Sequence, residues 1–160
     1  MKAVLGLALS AALALTSLAA RADEDPAIVK ARAFFARYVE LTDAFDPQLV
    51  ALYSDKARAI NVRRFEGGVE RQMELQGTRY KELLAKALPI AKTAGDRSTY
   101  SDVKYASDGE YVRIDATRLS QLKHYSSPFS LRIGPIAAKE WQIVEERSVS
   151  KALPGETPPN

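Results

Sequence analysis

From Thr99 to Ser148 the chain runs in short stretches rich in Tyr, Val, Ile, Thr and Phe, each broken by turn residues, the pattern of strands meandering in one antiparallel sheet. The first stretch, Thr99 to Tyr105, is closed by Ser107-Asp-Gly-Glu110, in which Asp-Gly supplies the positive φ angles of a tight turn. Tyr111 to Ser120 alternates cleanly, with Val112, Ile114 and Ala116 on one face and Arg113, Asp115 and Thr117 on the other, so this strand is predicted to be half buried. Gln121 to Tyr125 bridges to a third strand, where Phe129, Leu131 and Ile133 share a face until Gly134-Pro135 stops it. In the last strand, Glu140 to Ser148, strict alternation sets Trp141, Ile143 and Glu145 against Gln142, Val144 and Glu146, and neither face is purely apolar.

Upstream the period changes from two to between three and four. Asp25-Pro26 offers an N-cap oxygen followed by a residue whose missing N–H would have had no partner, and starts a helix predicted to reach about Ala44. Ile28, Ala31, Phe34, Phe35, Tyr38 and Leu41 form its apolar stripe. Asp46-Pro47 repeats the signal for a short second helix through Tyr53. A hairpin of Arg58 to Arg64 and Val69 to Gln76 follows, and Thr78 is predicted to cap a third helix from Arg79 to about Ala94, bent or shortened at Pro89. Helix, helix, hairpin, helix and meander make an α+β layout: about six strands, with three helices from the N-terminal half on one face.

Residues 1–22 carry Lys2, an apolar stretch from Ala3 to Leu15 and the small-residue triplet Ala20-Arg21-Ala22, which fits a secretory signal cleaved after Ala22. The expected organisation is a signal peptide over 1–22, one domain over 23–150 and a Pro- and Gly-rich disordered tail over 151–160. Cleavage removes Lys2 and Arg21 but no acid, so the formal charge falls from +3 to +1 and argues against a nucleic-acid partner. With no cysteine there is no disulfide framework and no thiolate metal site. A periplasmic or secreted protein without a membrane segment after processing is the expectation.

Arg37-Tyr-Val-Glu-Leu41, Asp46-Pro-Gln-Leu-Val-Ala-Leu-Tyr-Ser-Asp-Lys-Ala57, Gly77 and Glu140-Trp-Gln-Ile143 resemble the nuclear transport factor 2-like (SnoaL-like) superfamily, the curved-sheet cone fold that includes ketosteroid isomerases. The resemblance spans about residues 26–148 and implies a cavity between the first helix and the concave sheet face. In ketosteroid isomerases a tyrosine and a protonated acid hold an oxyanion while an aspartate moves the proton. Matched to this sequence, the tyrosine falls on Tyr38, the base on Asn61 and the acid near Phe129 or Ser130. Asparagine takes no proton at neutral pH, so that route is disfavoured.

His124 is the only histidine, within the bridge of an exposed loop, and cannot build a zinc site alone. Asp115 flanked by Arg113, with Arg132 as a cross-strand partner, is a polar group for the pocket if its face is the concave one and an ordinary wet surface if not. The expected pocket is therefore Tyr38, Asn61, Arg113, Asp115 and Phe129, with Asp115, His124 and Tyr38 as weak catalytic candidates and no metal or cofactor. Three readings follow: a small apolar ligand bound without catalysis, an isomerase, dehydratase or hydrolase acting on a small apolar substrate, and a partner or homodimer module acting through the sheet. The enzyme reading requires Asp115, His124 and Tyr38 to share one cavity.

Overall fold

A computed structural model describes residues 24–152 and 154–158. Helix α1, Pro26–Ala44, starts where Asp25 accepts the Ala27 N–H at 2.8 Å and ends at Phe45, whose left-handed backbone returns its N–H to the Leu41 and Thr42 carbonyls. A short 3₁₀ helix, Pro47–Leu52, is capped in the same way by Asp46 on the Gln48 N–H at 2.8 Å. Strand β1 (Tyr53–Arg64) pairs antiparallel with β2 (Glu70–Gln76), which runs directly into α2 (Gly77–Ala94). The meander is β3 (Ser98–Asp108), β4 (Tyr111–Ser120), β5 (Tyr125–Gly134) and β6 (Gln142–Lys151).

These six strands form one sheet in the order β2-β1-β6-β5-β4-β3. All pairings are antiparallel except β1 with β6, which closes the hairpin onto the meander in parallel register, with Ala59 opposite Glu146 and Asn61 opposite Ser148. Register breaks fall in β1 between Tyr53 and Arg58, in β3 between Ser101 and Lys104, and in β6 at Val144, which has no counterpart between Arg132 and Ile133. Extra residues of this kind bend a strand and increase its twist, so the sheet curves around the helices.

The core lies inside that curve. Ala31, Phe35, Tyr38 and Leu41 of α1 pack on Val112, Ile114 and Ala116 of β4, on Phe129, Leu131 and Ile133 of β5, and on Ile143 of β6. Val112, Ile114, Ile133 and Ile143 expose no surface, and each such side chain contributes roughly 1.5–3 kcal/mol by burial.

The α+β cone is as expected, with local departures. Helix α2 begins at Gly77 with no side-chain cap, because β2 feeds straight into it, and it runs through Pro89 to a left-handed Gly95. The last strand starts at Gln142 rather than Glu140 and extends to Lys151. Glu156, within the segment expected to be disordered, accepts hydrogen bonds from Arg63 at 2.8 and 2.5 Å. The expected signal segment lies outside the described residues.

Candidate functional site

The break at Val144 decides the chemistry of the concave face. With one extra residue between Ile143 and Glu145, Glu145 turns outward to Arg58 at 3.1 Å and Arg147 at 2.8 Å, while Glu146 turns inward between Ala59 and Leu131. Simple alternation had put Glu145, not Glu146, on the side of Ile143. The inward carboxylate is only 7% exposed.

Four tyrosines from different elements converge around it. Tyr53, at the start of β1, donates its hydroxyl to one Glu146 oxygen, and Tyr80, in the first turn of α2, donates to the other at 3.1 Å. Their rings meet edge to face, 5.2 Å between centroids. Tyr38 of α1 and Tyr100 of β3 meet edge to face, 6.1 Å between ring centroids, and both rest on Phe129. Tyr38, Tyr53, Tyr80, Tyr100, Arg118 and Glu146 together line a cavity of about 160 Å³ between the helices and the sheet. Past Arg118, Asp96 and Ser98 it meets a more polar mouth of about 300 Å³, bordered by Asn61, Ser120, Lys123 and Ser150.

Burial pushes the Glu146 carboxyl above the ordinary glutamate range, against the opposing pull of the Tyr53 and Tyr80 hydroxyls and the Arg118 charge. Burial also raises Tyr38, Tyr53 and Tyr80 well above the ordinary phenol value, with the proximity of Glu146 adding to it, and Tyr100 is pushed up to about 12. At neutral pH the four phenols are therefore neutral hydrogen-bond donors around one proton-accepting group. No cluster of His, Asp or Glu capable of holding a metal ion exists among the described residues.

The residues anticipated from the sequence separate into three places. Tyr38 lines the cavity and Phe129, 3% exposed, lies in the core behind it. Asn61 faces inward at the mouth, where its amide donates to the Ser148 hydroxyl at 3.0 Å and its oxygen accepts from Ser150 at 2.8 Å. Arg113 and Asp115 are on the opposite face of the sheet, because Val112, Ile114 and Ala116 take the core side of β4. There Arg113 Nε binds both Asp115 oxygens at 3.0 Å, and the pair borders an outer depression of about 230 Å³. Arg132 pairs with Asp108 at 2.7 Å instead. His124 is exposed in the turn before β5, with a φ of 52°. Asp115, His124 and Tyr38 therefore share no cavity, and the catalytic set they would have formed is not assembled.

No family model matches the sequence, and no curated protein matches it. Solved structures do match in shape. An NTF2-like protein with a cystatin-like fold from Novosphingobium aromaticivorans superposes with a TM-score of 0.53 at 17% identity, over 91% of this chain and 94% of that one. The yeast deubiquitinase Ubp3 and Bre5 cofactor complex gives 0.55 at 13% identity, over 79% and 98% of the two chains. An NTF2-like protein of Pseudomonas putida gives 0.53 at 10% identity, over 76% and 84%. The fold is the NTF2-like cone.

Within this NTF2-like cone, the position that the resemblance gives to the isomerase base is Asn61, already tied to two serines. The acid positions, Phe129 and Ser130, are a core ring and a residue bordering the outer depression. The ionisable group that the cone does enclose, Glu146, was missed with Tyr53, Tyr80 and Arg118 as its neighbours. Its chain neighbours are Glu145 and Arg147, so no local signal sets it apart from them.

Proposed function

We propose that this NTF2-like protein is an exported binding protein that takes one small, mostly apolar molecule into the cone cavity. The observation that carries the reading is the enclosure of Glu146 by the Tyr53 and Tyr80 hydroxyls at the wall of an open cavity. A buried carboxyl is costly to the fold, and an apolar residue in its place would pack at no such cost, so its presence in a concave, aromatic-walled space supports a binding role. The size favours one ring: a cavity of about 160 Å³ matches the roughly 150 Å³ that accommodates benzene. Export rests on the apolar segment ending in Ala20-Arg21-Ala22.

A second reading, proton transfer on the bound molecule, is favoured by the Glu146 carboxyl at the cavity wall, which burial raises above the ordinary glutamate range. Native mass spectrometry of the protein recovered from the periplasm tests both readings. The expected result is a chain beginning at Asp23 with one small molecule retained. A chain that carries nothing and also fails to shift its NMR spectrum with millimolar phenol overturns the binding role. If the retained molecule takes up deuterium from heavy water on the wild type but not on Glu146→Gln, the second reading replaces the first.

A further inference from the structure

Among the described residues, two side-chain polar atoms are buried without any hydrogen-bond partner: Arg118 Nε and Ser127 Oγ. They are not scattered. Arg118 and Ser127 stand directly opposite each other across β4 and β5, two residues beyond the core pair Ala116 and Phe129, and so share the concave face. Arg118 also stands opposite Tyr100 of β3 and lines both the aromatic cavity and its polar mouth. Its only hydrogen bond among the described residues is from Nη2 to the Val149 carbonyl, at 3.1 Å. Glu146 and Asp96, the two carboxylates that line the same space, form no direct salt bridge with it, although its charge reaches Glu146.

Unmet buried donors are costly and rare, and two at one register mark a place where a further acceptor belongs. The guanidinium presents its N–H groups as a planar fork that matches a carboxylate. Ser127, across the strand pair from it, is not among the residues lining either space, and its buried hydroxyl offers a second donor behind the guanidinium. Lys123 at the mouth faces Asp96, and Arg118 adds a second cation where the apolar walls end, with Glu146 on the cavity side.

We propose that the bound molecule is a small single-ring or similarly sized apolar carboxylate, its body among Tyr38, Tyr53, Tyr80 and Tyr100 and its carboxylate held by Arg118, with Ser127 as the second donor behind it. This rests on the cavity reading above and names the chemical class of its occupant. Hydroxyl-bearing neutral molecules would satisfy Ser127 but leave the guanidinium fork without a bidentate acceptor.

The test compares benzoate with its neutral isostere benzamide by NMR titration of the wild-type protein, then of Arg118→Gln and Ser127→Ala. Expected is at least a tenfold preference for benzoate in the wild type, brought close to unity in Arg118→Gln and reduced in Ser127→Ala. Equal affinity for the two probes in the wild type, or a benzoate preference that survives Arg118→Gln, overturns the assignment to a carboxylate while leaving a ligand cavity. Failure of both probes to bind overturns the assignment together with the cavity reading. The wild-type comparison needs no variant to fold, and Ser127→Ala removes one atom from a buried site without adding bulk.

Discussion

The Tyr53 hydroxyl donates a hydrogen bond to Glu146, a partner 93 residues away in the chain, and so ties the mouth of β1 to the middle of β6. A hydrogen bond to an ionised carboxylate is worth more than one to its protonated form. Tyr53→Phe should therefore destabilise the fold by about 1.5–3 kcal/mol when Glu146 is ionised and by less when it is protonated. Urea denaturation below and above the pH range in which Glu146 titrates reads the difference, and an equal cost at both ends would contradict it.

Glu146 itself sets a pH dependence with a definite sign. Its folded-state carboxyl titrates above the ordinary value of an unfolded glutamate, because burial penalises the charged form. The folded state thus holds the proton more tightly, and stability from this group is complete below the ordinary glutamate range and is lost as pH rises through the elevated folded value. Glu146→Gln has no such titration. The stability of the wild type minus that of Glu146→Gln should fall as pH rises through that window, and urea midpoints for both proteins across the range measure it. A difference that rises with pH would place the carboxyl below its ordinary range.

Much of this fold was legible because local signals agreed with one another. The Asp25-Pro26 and Asp46-Pro47 starts became capped helices at the expected residues, and Tyr111 to Ser120 became β4 without a shift at either end. The same alternation already held the answer for Asp115, which must face outward once Ile114 and Ala116 face in. The candidate site was far less legible. No glycine or proline announces the extra residue at Val144, and that one position exchanges the roles of Glu145 and Glu146. Tyr53 is expected to close the short second helix but opens β1, and Tyr80 lies in the first turn of α2. Nothing local says that their hydroxyls meet one carboxylate, since the partners lie 93 and 66 residues away. The parallel pairing of β1 with β6 that brings them together is a long-range event with no local signature.

The outer-face pair provides a contrast. Arg113 and Asp115 bind in good geometry, but their side chains are 55% and 46% exposed, where water screens the attraction. Asp115→Asn should change stability by less than about 1 kcal/mol and leave the affinity for benzoate unaltered. Thermal melting and the NMR titration check the two halves of that expectation. A loss of binding would return Asp115 to the site.

Gly77 is the residue that sets Tyr53 and Tyr80 against each other. A Cβ there would lie 2.2 Å from the Ser54 carbonyl oxygen and 2.7 Å from the Ala57 amide nitrogen, both backbone atoms that no rotamer change can move aside. Helix propensity alone would have Gly77→Ala gain up to about 1 kcal/mol. The clash opposes it, because overpacking against fixed atoms costs typically about 1–3 kcal/mol. Gly77→Ala should therefore destabilise, with the entry of β1 and the first turn of α2 forced apart. Ser54 adjoins Tyr53, and Tyr80 lies one turn beyond Gly77, so the separation pulls both hydroxyls away from Glu146 and raises its carboxyl further. A urea midpoint below the wild type, together with a Glu146 side-chain NMR titration moved to higher pH, is the expected pair of results. Destabilisation with an unmoved titration would mean that the clash is relieved elsewhere, with both hydroxyls still on the carboxylate.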